Sequence, residues 1–319
     1  MSDKTKVILV LNQKGGVGKT TISINLGQIL GDTFGKKVLL IDNDVQNSLT
    51  FLANEPINDY GALERPETGH VDLGYLIGSI QWDGLEALPE YEDLEEAIIT
   101  PTYMKRVKVP NSMQWTDEED RFAFDLLGGY NKDLSLTEMI YVAQTDEPFI
   151  LQEDNRKYAR YLLKMVVDRI KKYYDYDYII IDTAPSLGIL TINALLAADY
   201  LIIPCQPDML STVGLDVIIQ NLVDLNRFVP NFNILGILFN MFTGTKSDSE
   251  MLAEVEEYGK QNQINVFNTR IPRVNQMKAM SREEGIAVMS NAKPFRMFKE
   301  SIISLAQEVI DACEKEDDE

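Results

Sequence analysis

The chain has 319 residues, 45% of them hydrophobic and 25% charged, a balance that excludes a mostly disordered polymer and admits one large α/β domain. Fifty acidic and 30 basic side chains leave a net charge of −20. Such a field repels the phosphates of nucleic acid and lipid, so any function on either must rest on a local basic patch.

Cys205 and Cys313 are far apart in sequence, which excludes a disulfide framework or a CxxC metal motif within one chain and fits a reducing cytosol. The single histidine, His70, lies in a polar stretch beside glycine and reads as a loop residue, against serine–histidine hydrolase chemistry. The first residues lead directly into a strand, with no signal-peptide core. No apolar run approaches the roughly 20 residues that span a bilayer.

Val7–Leu11 is an apolar run that predicts a buried parallel strand, and helical spacing follows over Ile22–Leu30. Further buried strands are predicted at Val38–Ile41, Tyr178–Ile181, Tyr200–Ile203 (stopped by Pro204) and Ile234–Phe239. Helices are predicted over Ala159–Tyr173, Leu187–Ala197, Leu215–Phe228 and Ser249–Gln261. Strands alternating with helices imply an α/β, doubly wound, mostly parallel sheet with helices on both faces, whose ligands bind beyond the strand carboxyl ends. Between 54 and 153 the pattern breaks: an acidic run from Asp83 to Glu96 precedes a short basic stretch, Lys105 to Lys108, and Phe122–Leu127 returns as a strand. The expectation is a single domain over 1–319, with an inserted elaboration of one sheet edge around 80–123 and a frayed acidic tail over 314–319.

The sharpest motif lies between the first strand and the first helix: Lys14-Gly15-Gly16-Val17-Gly18-Lys19-Thr20-Thr21. Glycines let the backbone N–H groups curl around phosphate, and the helix N-terminus adds its dipole. Lys19 reaches the β- and γ-phosphates and the Thr20 hydroxyl meets Mg2+. At the end of the second strand Asp42 and Asp44 stand at i and i+2, on the same side. One suits the Mg2+ shell, the other the positioning of water for in-line attack. A third apolar strand ends in Asp182, followed by Thr183-Ala184-Pro185-Ser186, and reads as a second Mg2+-side acid acting through water or Thr20.

The loop departs from GxxxxGK[ST]: Gln13 replaces the first glycine and Lys14 follows it. In this it resembles the deviant Walker A loop of the ParA/MinD family of P-loop ATPases, and its ParA/Soj-like branch in particular. Asp42 to Gln46 resembles that family's DxDPQ motif, with Val45 in place of proline. Asp182 to Gly188 resembles DxPPSLG, with Ala184 in place of the first proline. Pro204 to Asp208 with Gly214-Leu215 resembles its P-x-Q-x-E…GL block, which contributes to a dimer face. The resemblance covers the first 53 residues and roughly 124 to 305.

What it implies is an ATP- and Mg2+-dependent switch: two subunits close over ATP, and each Lys14 crosses to its partner's phosphates. Lys14, Lys19 and Asp44 are then the catalytic residues, Asp44 positioning water. Thr20, Asp42 and Asp182 serve the metal, Asp42 supporting either Mg2+ or the loop. Asn240 and Pro272 frame the adenine. ParA-type relatives bind DNA nonspecifically as ATP dimers in the cytoplasm, on the nucleoid, and a ParB-like partner stimulates their slow hydrolysis. MinD-like or cargo-positioning relatives act on a membrane or a protein assembly instead. From Glu300 onward eight acids face one lysine, the wrong sign for an interfacial membrane helix, so the apolar positions of Ser301–Ala312 are expected in the core. Asn268–Lys299 carries seven bases against two acids. Lys278, Arg282, Lys293, Arg296 and Lys299 within it are the candidate DNA contacts.

Overall fold

The computed structural model describes residues 5–53, 71–108, 110, 115–129, 159–186, 188–207, 211–225, 233–275, 286–290 and 292–317. The strands are β1 (Lys6–Val10), β2 (Val38–Asn43), β3 (Ile98–Ile99), β4 (Thr102–Lys108), β5 (Trp115–Arg121), β6 (Asp125–Leu127), β7 (Tyr178–Thr183), β8 (Tyr200–Cys205), β9 (Asn233–Phe242) and β10 (Val266–Pro272). The helices are α1 (Lys19–Asp32), α2 (Ser48–Ala53), α3 (Leu73–Asp83), α4 (Tyr91–Ala97), α5 (Leu162–Tyr173), α6 (Ile189–Ala197), α7 (Ser211–Leu225), α8 (Lys246–Asn262) and α9 (Lys293–Asp317).

Among the described residues the strands form an 8-stranded sheet ordered β10-β9-β8-β1-β7-β2-β6-β3, and a separate β4-β5 hairpin. Every pairing in the larger sheet is parallel except β3 with β6. That antiparallel edge strand belongs to the inserted region, so the insertion does elaborate a sheet edge.

Strand alternation divides the core in two. Val7 and Leu9 of β1 and Ile179 and Ile181 of β7 face one way, against α3, α5, α6, α7 and α8. Ile8, Val10 and Ile180 face the other, against α1 and α9. Cys205 belongs to the first layer and Cys313 to the second, both buried and free. Helix α1 lies close enough to the sheet region that a Cβ on Gly31 would collide with the Ala123 carbonyl. Burial of Ile302, Leu305, Ala306 and Val309 of α9 agrees with the core role read from the acidic flank.

Four boundaries differ from the sequence reading. Strand β8 runs through Pro204 to Cys205; the proline sits one residue from the strand end, and its carbonyl accepts a hydrogen bond from the Asn12 side chain at 2.6 Å. The acidic run, to which the sequence reading gave no element, contains α4, started by a capping box of Glu90 and Asp93. β10 escapes the search for apolar runs because it alternates buried and exposed positions. The tail predicted to fray from Glu314 remains helical through Asp317. His70, Lys278 and Arg282 lie outside the described residues. No helix among the described residues is long and apolar enough to cross a membrane.

Candidate functional site

The carboxyl ends of β1, β2 and β7 converge on a cleft of about 640 Å3, lined by Gly15, Gly16, Gly18, Lys19, Thr20 and Thr21 of the loop and by Asp44, Thr183 and Pro185 across from it. Gly16 and Gly18 have φ of 75° and 92°, the left-handed region in which side chains are strained. Gly18 has a second constraint, since a Cβ there would collide with the Asn240 amide.

Three side chains brace this loop, two of them from distant sequence. Asn12 accepts from the Lys14 N–H at 2.8 Å while tying to β8. The Gln206 amide donates to the Gly16 carbonyl at 2.5 Å and to Met241 Sδ at 3.1 Å. The Asn240 amide donates to the Val17 carbonyl at 2.6 Å, and its oxygen accepts from the Met241 N–H. Loop carbonyls are thereby turned outward to the strand ends, which leaves amide hydrogens for a ligand.

Lys19 is buried. Burial lowers its pKa, opposed by the negative charges of Asp182 and Asp44. Its ammonium approaches the Lys14 carbonyl at 3.5 Å. Asp182 is fully buried; it accepts from the Thr20 hydroxyl at 2.6 Å and from Ser23 at 3.3 Å. Burial, with Asp42 nearby, pushes its pKa up to about 7, against the pull of the Thr20 hydrogen bond and Lys19. A carboxylate so short of positive charge, touching a hydroxyl that opens on the cleft, suits a hard cation. Hydroxyl and carboxylate oxygens are the donors Mg2+ takes, usually completed by water and phosphate rather than by a protein cage. Consistently, no group of three or more acidic, histidine or cysteine ligands occurs among the described residues.

The two acids of the DxD pair separate in role. Asp44 lines the cleft and accepts from the Gln46 N–H at 2.9 Å. Asp42 turns away from it. One oxygen accepts from both the N–H and the hydroxyl of Thr50 at 2.7 Å, and the other from the Asp44 N–H at 3.3 Å. Burial holds it up at about 6, with the Thr50 bonds pulling it down. These bonds tie Asp42 to the first turn of α2, whose Ser48, Phe51 and Leu52 line the cleft.

Lys14 is exposed, next in the chain to Gly15 of the cleft lining. Asn240 faces the phosphate loop and Met241 takes the place on the cleft wall. Pro272 ends β10 beside Phe242. Lys293 and Arg296 are exposed on the first turns of α9 and Lys299 is half-buried. Sequence reading missed the bracing by Asn12 and the anchoring by Thr50; a polar residue just before the glycines, and a threonine eight residues after an acid, were their only signals.

Residues 8–286 match the family model for the CobQ/CobB/MinD/ParA nucleotide binding domain. The sporulation initiation inhibitor protein Soj of Bacillus subtilis is 30% identical over 270 residues, covering 84% of each chain. A plasmid partition protein of Borrelia burgdorferi, solved with AMPPNP, shares the fold with a TM-score of 0.64 at 22% identity, covering 95% of this chain and 99% of that one. Cobyrinic acid a,c-diamide synthase of Mycobacterium smegmatis, solved with an ATP analog and magnesium, gives 0.65 at 23% identity, covering 96% and 94%.

Proposed function

The chain belongs to the CobQ/CobB/MinD/ParA nucleotide-binding family, and on that footing we propose that it is a ParA-type ATPase switch that partitions plasmid or chromosomal DNA in the cytoplasm. The carrying observation is one loop that leaves Lys14 exposed and buries Lys19 at the cleft, which Asp44 also lines. A single subunit has use for one of those lysines at its own phosphates. We read the second as serving a triphosphate in a facing copy.

In this reading the loop amides and Lys19 bind and orient the phosphates of ATP. Thr20 and Asp182 would hold Mg2+, which would supply neutralisation of phosphate charge. Asp44 orients a water for in-line attack. The new bond joins water oxygen to the γ-phosphorus, the bond from that phosphorus to the bridging oxygen breaks, and ADP leaves with the electron pair. Asp44 hydrogen-bonds the attacking water while its proton passes to phosphate or solvent. Two subunits close over ATP and part on hydrolysis, which a ParB-like partner accelerates.

DNA is preferred to membrane because α9 keeps Phe298, Ile302, Leu305, Ala306 and Val309 in the core and offers Lys293 and Arg296 to solvent. The test is a gel shift on random-sequence duplex with ATP or ADP between 50 and 200 mM salt. Binding should require ATP and fade with salt. Arg296→Glu with Lys299→Glu should weaken it and lower the salt slope by about 2. Absence of binding with ATP at the lowest salt would refute the DNA reading, and liposome pelleting would then favour a membrane.

A further inference from the structure

A second cleft, of about 320 Å3, lies at the opposite end of the sheet from the phosphate loop. It forms where the inserted region meets the strand starts: Tyr91 and Glu95 of α4 and Thr100 close over Lys37, Asp125 and the Tyr174–Tyr176 turn, which precede or begin β2, β6 and β7.

Three aromatic rings form a ladder along its wall. Tyr91 and Tyr174 stack at 5.9 Å between centroids with planes 18° apart, and Tyr174 and Tyr176 at 5.7 Å and 17°. Carboxylates edge the ladder. The Tyr91 hydroxyl donates to Glu95 at 3.0 Å, the Tyr176 hydroxyl to Asp125 at 2.7 Å, and Thr100 to the other Asp125 oxygen at 2.6 Å. Asp175 is the third acid. The one base lining the cleft, Lys37, stands 3.6 Å from it, with both side chains about two-thirds exposed at 66% and 67%. Burial and the adjoining carboxylates together hold the Tyr174 and Tyr176 phenols above their ordinary range. The lining is therefore aromatic, with three carboxylates to one ammonium.

That combination selects a particular cation. Among the described residues no group of three or more acidic, histidine or cysteine side chains is gathered to cage a metal ion. Spread carboxylates instead suit a cation whose donors are spread over a plane, and a guanidinium both stacks on rings and donates from a rigid fork. The cleft is shallow, with Tyr91 still 42% exposed, whereas sites for free small molecules enclose most of the ligand. A guanidinium held from outside, on a chain that makes further contacts, meets that geometry. We propose that this cleft is a docking site for an arginine side chain presented by a peptide segment of a partner protein, its guanidinium lying on the tyrosine ladder beside Glu95 and Asp175.

The test uses the full chain with isotope-labelled tyrosines. Decapeptides with one central arginine and varied neutral flanks are titrated, alongside their citrulline counterparts and N-acetylarginine amide. Arginine peptides should shift the Tyr91 and Tyr174 ring resonances, and citrulline, of the same shape without the charge, should bind roughly tenfold more weakly or worse. Glu95→Gln, at an exposed position, should weaken binding comparably with an unchanged circular dichroism spectrum, and Tyr91→Ala should abolish it. Equal binding of citrulline peptides, or arginine binding untouched by both substitutions, would overturn the site. If no decapeptide outbinds N-acetylarginine amide, the peptide source is overturned in favour of a small guanidinium compound.

Discussion

Thr50→Val tests whether Asp42 serves as an anchor. Valine matches threonine in shape, so no cavity opens and only hydrogen bonding changes. Thr50 and Asp42 are both fully buried. The Thr50 hydroxyl donates to Asp42 at 2.7 Å and accepts from the Gly129 N–H at 3.2 Å. The Thr50 N–H, also 2.7 Å from Asp42, survives the substitution. A hydrogen bond to a charged group contributes about 1.5–3 kcal/mol and an orphaned buried amide costs about 1–3 kcal/mol. With the longer Gly129 contact taken at the low end, the expected loss is about 3 kcal/mol, a large share of a typical domain's stability. Equilibrium urea unfolding without nucleotide measures it. Thr50→Ser, which keeps the hydroxyl, should avoid most of that loss. A Thr50→Val protein within about 0.5 kcal/mol of the parent, the usual range for surface changes, would refute the anchor. So would a serine variant as unstable as the valine one. Because α2 supplies Ser48, Phe51 and Leu52 to the cleft wall, nucleotide affinity should fall along with stability.

Asp44→Ala should bind ATP and persist as a dimer in light scattering, since it leaves the loop intact and removes the group that orients water; a monomer in ATP would contradict that role. Gln206→Ala removes the donor to the Gly16 carbonyl and should raise the ATP dissociation constant roughly three- to tenfold, the equivalent of one neutral hydrogen bond. Calorimetric titration measures it, and unchanged affinity would show that Asn12 and Asn240 suffice. Asp248 accepts from the Thr243 hydroxyl and N–H at 2.6 Å and from the Thr245 hydroxyl at 2.8 Å. These bonds, the Thr243 hydroxyl foremost, hold its pKa below the ordinary aspartate value. Its stabilisation is therefore present above that value and lost as pH falls through the depressed one. Asp248→Ala should lower the melting temperature at neutral pH, and its gap from the parent should narrow on acidification; a gap that widens would refute the assignment.

The sequence revealed what is local. Val7–Leu11, the glycine loop and Lys19–Thr21 are neighbours in the chain, so strand, cradle and helix N-terminus could be read as one unit. The strand-end acids were legible for the same reason: each closes an apolar run, and parallel pairing brings run ends together. Asp42 pairs with Asp182 in the β2–β7 register. What the sequence could not divide was the work of Asp42 and Asp44. Equal spacing and equal chemistry put both on one side of a strand, and only the tertiary position of Thr50, held by its own contact with Gly129, takes Asp42 out of the cleft.

The same limit governs the bracing of the loop. Gln206 lies 190 residues from Gly16 and Asn240 lies 223 from Val17. A glutamine or asparagine at a strand end is by itself an ordinary turn residue. Its role appears only when β8 and β9 are placed beside β1. The inserted region is the extreme case. Its acids read as solvated charge, since neither spacing nor alternation tied them to anything. Folded, Glu95 and the tyrosine before it meet Asp125 and the Tyr174–Tyr176 turn across about 80 residues of intervening chain. The −20 charge is thus uneven in consequence as well as in sequence. At the phosphate end, the carboxylates of Asp42, Asp44 and Asp182 are buried. At the far end they are open, and set against aromatic rings. Exposed bases remain on α9, away from both. On the two readings proposed, an acidic body holds a nucleotide at one end and attracts a basic partner at the other, because the two clefts lie at opposite ends of strands about 20 Å long, well beyond the roughly 8 Å over which physiological salt lets surface charges act.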